Sequence, residues 1–129
     1  MNIVDAILFQ AKHQPTALAV CAPGSRFNVV SYGRLADLIR NMGAHALSAG
    51  LRRGNIVAVS AADPVLHLSL VLALTKLGVV NLSLGAGSGP ADLAIDAVVC
   101  DRPGQFGKTA RVIVGDWMWR MDARPGRLL

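Results

Sequence analysis

The sequence predicts an α/β fold with three layers, in which helices flank a mostly parallel sheet and a β-hairpin lies near the N-terminus. The first observation behind this prediction is that apolar runs of strand length alternate with longer segments that have a 3.6-residue period. The second is the composition, which is 53% apolar, 16% charged and 5% aromatic and therefore predicts an aliphatic core. A chain of 129 residues fits one domain large enough to bury such a core.

The N-terminal third predicts a helix and then a hairpin. Asn2 and Asp5 have the spacing of a capping box, and one helical face is apolar before Pro15 interrupts the pattern; that face carries Val4, Ile7, Leu8 and Ala11. Two β-rich runs around the turn-forming segment "APGSR" predict a hairpin over residues 17–30, with its strands at an edge.

A second helix begins after Ser31, which can cap its N-terminus. The apolar positions repeat every 3.6 residues until Gly50, which ends the helix, and Leu51, which supplies the trailing apolar contact; these positions are Leu35, Leu38, Ile39, Met42, Ala46 and Leu47.

The segment over residues 62–85 has two incompatible interpretations, a membrane anchor or a buried part of a water-soluble domain. A spanning helix needs about 20 mostly apolar residues, whereas the uncharged run from Pro64 ends before Lys76. Asp63 is a good N-cap, Pro64 suits the first helical position, and Gly78 suits the C-terminus. We therefore predict a helix over residues 64–77 between strands at 55–61 and 79–85, forming a parallel βαβ unit and no membrane span.

The last third predicts a glycine-rich turn, a short helix over residues 91–95, and two further strands, "AVVC" and "RVIVG", that extend the same sheet. The polar segment "DRPGQFGKTA" separates these strands. We divide the chain into an α/β subdomain over residues 1–116 and a basic tail, or the start of a missing region, over residues 117–129.

Charge and cysteine content exclude some classes of function. The net charge is +5, but no run of basic residues exceeds the Arg52–Arg53 pair, so nucleic-acid binding is not expected. Cys21 and Cys100 are interpreted as small buried hydrophobic residues rather than as a disulfide, and no secretory signal precedes the first helix. These features predict a cytoplasmic protein.

A glycine-rich loop is the strongest local candidate for a binding site. Gly85, Gly87 and Gly89 follow a strand, and Asp101 ends the next strand about where a dinucleotide fold places its ribose-binding acid. Pro90 occupies the position of the third required glycine, and the helix that follows is too short to present its N–H groups to a pyrophosphate. A strand-to-helix loop is the favoured interpretation, and "GQFGKT" at residues 104–109 also lacks the spacing of a phosphate-binding loop.

The remaining polar residues form no recognisable catalytic or metal-binding pattern. His13, His45 and His67 lack the paired spacing of metal ligands. Ser31, Ser60 and Ser83 lie in no nucleophile motif and are interpreted as caps or strand hydroxyls. The sequence therefore assigns no catalytic, cofactor-binding or metal-binding residue in this chain.

Several strings together resemble the N-terminal part of the AMP-dependent synthetase and ligase family, the adenylate-forming enzymes that include acyl-CoA synthetases and peptide-synthetase adenylation domains. They are "NIVDAILFQAKHQPTALAV", "VSYGRLADLIRNMGAHALSAGLRRGNIVAVSAADP" and "LALTKLGVVNLSL", and the likeness covers residues 2–101 with a fainter continuation to Asp116. The chain departs from the family pattern at four places where the family usually has Glu, Asp, Asn and Pro, namely Arg34, Asn55, Ala62 and Ser83.

The resemblance implies that a full-length parent uses ATP and magnesium to convert a carboxylate into an acyl-adenylate. It also implies transfer of the acyl group to CoA or to a carrier-protein thiol. The family's phosphate loop, adenine-contacting stretch, Y-x-T-G-D aspartate and C-terminal lysine do not occur in these 129 residues. We therefore expect a scaffold fragment that is inactive alone and whose partner is the rest of the ligase or a second copy. The alternatives are a small nucleotide-binding domain that uses the glycine loop, or an interaction domain that self-associates through a sheet edge.

Overall fold

The computed structural model describes residues 2–25, 27–83, 95–101 and 111–114. The elements in chain order are α1 (Ile3–His13), β1 (Leu18–Ala22), β2 (Asn28–Ser31), α2 (Tyr32–Ser48), β3 (Ile56–Ser60), α3 (Pro64–Lys76), β4 (Val80–Ser83), β5 (Ala97–Cys100) and β6 (Arg111–Val114). The glycine loop at residues 85–90, most of the short helix predicted at 91–95, the segment at 104–109 and the tail lie outside the described residues. The boundary at residue 116 stays a prediction for the same reason.

The N-terminus of α1 is closed by the predicted capping box. The Asn2 side chain accepts a hydrogen bond from the Asp5 backbone N–H at 3.0 Å, and the Asp5 carboxylate accepts one from the Asn2 N–H at 3.4 Å. Val4 and Ala11 are buried on the predicted apolar face. The capping box and the apolar stripe thus confirm the first predicted helix.

The hairpin forms a sheet of its own. Strands β1 and β2 pair antiparallel, with Val20 opposite Val30 and Cys21 opposite Val29. Val30 is buried, whereas Val29 is exposed, because successive residues of a strand point to opposite faces. The predicted hairpin is confirmed, and it contacts α2 and α3 instead of joining the edge of the main sheet.

Helices α2 and α3 end in the same way. After α2, the N–H of Gly50 donates to the Leu47 carbonyl and the N–H of Leu51 donates to the Ala46 carbonyl. After α3, the N–H of Gly78 donates to the Thr75 carbonyl and the N–H of Val79 donates to the Leu74 carbonyl. Both patterns are Schellman motifs, which require a left-handed residue, and Gly50 and Gly78 have φ of 90° and 78°.

The main sheet has four parallel strands in the order β4-β3-β5-β6. Helix α3 connects β3 to β4 as the predicted βαβ crossover, and β5 and β6 extend the sheet as predicted. All four residues of β5 are buried, so both faces of the sheet are covered at this strand, as in the central layer of an α/β fold. The predicted fold class is confirmed.

The core is divided between the two faces of this sheet. On one face, Val57, Val59 and Val99 pack with the buried faces of the three helices. On the other face, Ala58, Val98 and Cys100 form a separate cluster with Ile95 and the half-buried Leu82. The helical face contains the larger cluster and includes Leu38, Met42, Leu66 and Leu70, all of them fully buried.

The two cysteines differ in environment, and one prediction about them is wrong. Both are free thiols; Cys100 is buried as expected, but Cys21 is exposed. Its strand belongs to a two-stranded sheet whose inner face holds Val20, and the alternation of a strand therefore turns Cys21 outward. In the described ranges, no helix combines the length and apolarity needed to cross a bilayer.

Candidate functional site at the carboxyl edge of the sheet

The strand order places a topological switch point between β3 and β5. From β3 the chain crosses through α3 to β4 on one side, and β5 then returns to the other side of β3. In open α/β sheets, ligands bind at the carboxyl ends of the strands where the direction of winding reverses. A ligand-binding site is therefore expected at the residues that follow β3 and β5.

Asp63 links two elements at this edge. Its carboxylate caps α3 by accepting hydrogen bonds from the N–H groups of Val65 at 2.9 Å and Leu66 at 3.3 Å. The hydroxyl of Ser25, in the hairpin turn, donates to the same carboxylate at 2.8 and 2.9 Å. Since Ser25 is only 9% exposed, this contact fastens the hairpin to the N-terminus of α3 in a partly buried position.

Two further aspartates tie β3 to β5 at opposite ends. At the N-terminal ends of the strands, the Asp96 carboxylate accepts a hydrogen bond from the N–H of Ile56 at 2.7 Å, and the Asp96 N–H donates to the Ile56 carbonyl. At the C-terminal ends of the strands, the Asp101 carboxylate accepts a hydrogen bond from the N–H of Ala62 at 3.0 Å. Asp101, the candidate ribose-binding acid, therefore has one carboxylate oxygen bound to the loop after β3.

His67 contacts the same loop from the first turn of α3. Its Nδ1 lies 3.2 Å from the carbonyl oxygen of Ala61. A carbonyl oxygen can only accept a hydrogen bond, so this contact requires Nδ1 to carry a proton and to donate it. The peptide joining Ala61 and Ala62 is thus held through its carbonyl by His67 and through its N–H by Asp101.

The other predicted polar residues do not converge on this edge. His13 is exposed on α1, where its ring lies 4.3 Å from that of Phe9, and His45 is half-buried on α2. Ser31 caps α2 by accepting from the Arg34 N–H at 3.2 Å, as predicted. Within the part of the chain that the structure describes, no three His, Cys, Asp or Glu side chains are grouped so that they could hold a metal ion.

Cavities also lie between the helices that the structure describes, where the sequence predicted no site. A groove of about 620 Å³ runs between α1 and α2, and a pocket of about 260 Å³ lies between α2 and α3. Arg40 lines both. Such cavities depend on how closely two helices pack, which no local sequence pattern records.

The geometry at the carboxyl edge is that of a scaffold. Asp63 and Asp101 accept hydrogen bonds from backbone N–H groups at this edge, as Asp96 does at the opposite end of β3 and β5, and such bonds fix the loops and the helix terminus. Sequence reasoning identified Asp63 as a cap but missed its contact with Ser25, which is 38 residues away. Only the fold brings those residues together.

Solved structures with the same fold are known. The N-terminal subdomain of Klebsiella oxytoca NpsA in complex with 3-hydroxybenzoyl-AMSN matches with a TM-score of 0.79 and 17% identity, over 97% of this chain and 32% of that one. VinN in complex with L-aspartate matches with a TM-score of 0.75 and 18% identity, over 94% of this chain and 37% of that one. At these identities the likeness shows the fold.

A curated relative gives a second comparison. Chalcone synthase cfoA of Aspergillus candidus is 31% identical over 122 residues, which are 95% of this chain and 4% of the relative. Domains typically contain about 50–250 residues, so a match this small in proportion means that the relative is a multidomain protein. No protein-family profile matches the chain.

The comparisons with solved structures agree with the fold that the resemblance recognised in the sequence implies. The chain spans 32–37% of the solved structures reported above and 4% of its curated relative. The matched region of NpsA lies within its N-terminal subdomain, of which the chain covers 34%. The chain has the fold of part of the NpsA N-terminal subdomain.

Proposed function

We propose that this chain forms the N-terminal scaffold of an ATP-dependent ligase that activates a carboxylic acid. The observation that supports the proposal is that 91–97% of the chain superposes on two adenylate-forming enzymes, with TM-scores of 0.74–0.79. The sequence resemblance, which is independent of the structure, leads to the same family. The chain's own contribution is the parallel sheet and the loops that Asp63, Asp96 and Asp101 fasten to it.

The reaction proposed for the full-length parent has two steps. A carboxylate oxygen attacks the α-phosphorus of ATP and displaces pyrophosphate; the acceptor thiol then attacks the acyl carbon and releases AMP. A cation and basic hydrogen-bond donors at the reacting centre are needed to stabilise the negative charge that develops on the phosphoryl group. The carboxylates of Asp63, Asp96 and Asp101 are already bonded to backbone N–H groups, so we assign the ATP and magnesium contacts to the remainder of the parent.

The acceptor thiol belongs either to CoA or to a carrier protein, and we propose the second. The curated relative is a multidomain protein, and in such a protein a tethered carrier reaches the active site at a high effective concentration. We also place the parent in the cytoplasm, where the free thiols of Cys21 and Cys100 remain reduced.

A chimera tests the proposal. The aligned N-terminal segment of NpsA is replaced by this chain, and binding of 3-hydroxybenzoyl-AMSN is measured by calorimetry alongside unmodified NpsA and a truncated NpsA that lacks the segment. We expect the chimera to bind the compound and the truncated protein to lose binding, because the scaffold supports the site without supplying its ligands. A chimera that unfolds cooperatively but does not bind the compound contradicts the proposal.

The chain alone provides the complementary measurement. We expect purified residues 1–129 to catalyse no acid-dependent exchange of pyrophosphate into ATP. Calorimetry with ATP, AMP and NAD on the same sample tests the alternative of an independent nucleotide-binding domain. Heat and thermal stabilisation with any of the three would favour that alternative.

A further inference from the structure

The pocket between α2 and α3 has the lining of a binding site for a small organic anion. Six residues line it: Ile39, Arg40 and Gly43 from α2, and Ala73, Lys76 and Leu77 from the C-terminal end of α3. We propose that this pocket binds a small amphipathic carboxylate, such as a short-chain fatty acid or an aromatic acid. The inference concerns a site on this chain itself and does not rest on the proposed activity of a parent enzyme.

The pocket exists because the two helices meet there through small residues. Gly43 has no side chain and Ala73 has only a methyl group, and they line the cavity from opposite helices. Glycine in a helix interior costs about 1 kcal/mol relative to alanine, so helix stability alone does not favour Gly43. A volume of about 260 Å³ is below the roughly 300–1,000 Å³ of sites for drug-sized ligands, and it suits a ligand of fewer atoms.

The two charged residues that line the pocket are both basic. Arg40 extends from α2 and Lys76 from α3, and both are exposed. Asp37 lies 3.8 Å from Arg40, but both side chains are about half exposed, so this ion pair is weak. The structure shows no carboxylate within ion-pair distance of Lys76 in the residues it describes. The two cations are therefore available to a carboxylate.

Apolar walls beside two cations select one class of ligand. An amine of the same shape would be repelled by Arg40 and Lys76, and an alcohol would gain no charge interaction. Inorganic phosphate has the charge but no apolar part to occupy the space between Ile39 and Leu77. A carboxylate with a short apolar tail satisfies both features, since its head can remain with the exposed cations while its tail leaves water.

The test uses the full chain and four probes. Hexanoate is titrated into isotopically labelled protein while backbone amide shifts are recorded, and hexylamine, hexanol and acetate serve as comparisons. We expect saturable shifts at Gly43, Ala73 and Lys76 with hexanoate, with a Kd on the order of 1 mM because so small a ligand has few atoms. The other three probes are expected to give no saturable shifts at these amides, and added salt is expected to weaken hexanoate binding.

Variants separate charge from fold. Lys76→Met and Arg40→Met keep the aliphatic stems and are each expected to raise the Kd by about fivefold, as for the loss of one exposed ion pair. Lys12→Met, an exposed lysine in the last turn of α1, is the matched control and should leave the Kd unchanged. Gly43→Leu should abolish binding by filling the pocket; if that variant does not fold, the two methionine variants decide the question.

Three results would overturn the proposal. The first is the absence of saturable shifts with hexanoate up to about 10 mM, tenfold above the expected Kd. The second is an equal response to hexylamine or hexanol, which would show that binding does not depend on the negative charge of the ligand. The third is an equal Kd for Lys76→Met and Lys12→Met, which would place the anion elsewhere.

Discussion

Ser25 and Asp63 are 38 residues apart in the sequence and share a hydrogen bond in the fold. Asp63 also caps α3, and loss of an N-cap costs about 0.5–2 kcal/mol. We expect Asp63→Ala to lower the free energy of unfolding by about 2 kcal/mol and Ser25→Ala by about 1 kcal/mol. Urea denaturation measures both values, and Asp37→Ala, at an exposed position of α2, is the control. Equal effects of Asp63→Ala and Asp37→Ala would show that Asp63 does not join these elements.

Two glycines with positive φ allow backbone strain to be separated from side-chain contact. Gly54 has a φ of 88° and no atom within 4 Å of an added Cβ, whereas at Gly78, with a φ of 78°, an added Cβ would lie 2.9 Å from the Cγ of Arg53. We expect Gly54→Ala to cost about 1 kcal/mol through strain alone and Gly78→Ala about 2 kcal/mol.

The double variant Arg53→Ala/Gly78→Ala completes this experiment. Removal of the Arg53 side chain leaves only backbone strain. The cost of Gly78→Ala, measured in the Arg53→Ala background, should therefore fall to that of Gly54→Ala, about 1 kcal/mol. Thermal or urea denaturation of the wild type, Arg53→Ala, Gly78→Ala and the double variant gives the free energies of unfolding that are compared. An unchanged increment would mean that Arg53 moves aside without cost.

At the level of elements, paired hydrogen bonds from one aspartate join β3 to β5. Asp96 accepts from the Ile56 N–H at 2.7 Å and donates from its own N–H to the Ile56 carbonyl at 2.7 Å. We expect Asp96→Ala to raise the hydrogen-exchange rate of the Ile56 amide by about tenfold, because the charged acceptor is lost while the strands remain paired. The Ala62 amide, held by Asp101 at the other end, should keep its rate. Equal acceleration at both amides would indicate general loosening of the sheet instead.

The elements themselves were largely predictable because each has a local signal. Asn2, Ser31 and Asp63 cap helices as expected, and Gly50 and Gly78 end them in the left-handed conformation. These signals involve residues a few positions apart, where backbone geometry alone determines the contact. The separate two-stranded sheet and the exposure of Cys21 were not predictable, because they depend on which element the hairpin packs against.

The candidate sites show the same limit at the scale of the whole molecule. The sequence indicated Asp101 through an analogy with dinucleotide folds, and the structure shows its carboxylate bonded to the Ala62 N–H. No sequence pattern indicated the pocket beside Gly43, because that cavity arises only when α2 packs on α3. Contacts between elements distant in sequence follow from tertiary packing, which a periodic pattern constrains only by identifying the buried face.

The outer part of the sheet carries apolar surface that predicts self-association of the isolated chain. Ile56 and Val80 are direct partners across β3 and β4, and they remain 36% and 53% exposed. In the described sheet β4 is an edge strand that pairs only with β3, and an edge with exposed apolar side chains favours pairing with another molecule. We therefore expect the weight-average mass of the purified chain to rise with concentration in analytical ultracentrifugation.

Substitutions on this surface decide whether it carries the association. Ile56→Thr/Val80→Thr keeps β-branched side chains in the strands while removing apolar area, and it should make the protein monomeric over the same concentrations. Leu68→Gln is the matched control, since Leu68 is 37% exposed on α3 and lies outside the sheet. A wild-type chain that stays monomeric, or a loss of association with Leu68→Gln as well, would contradict the assignment. Under the proposed function, further structure of the parent covers the same surface, and we then expect the parent to associate less than the isolated chain at equal concentration.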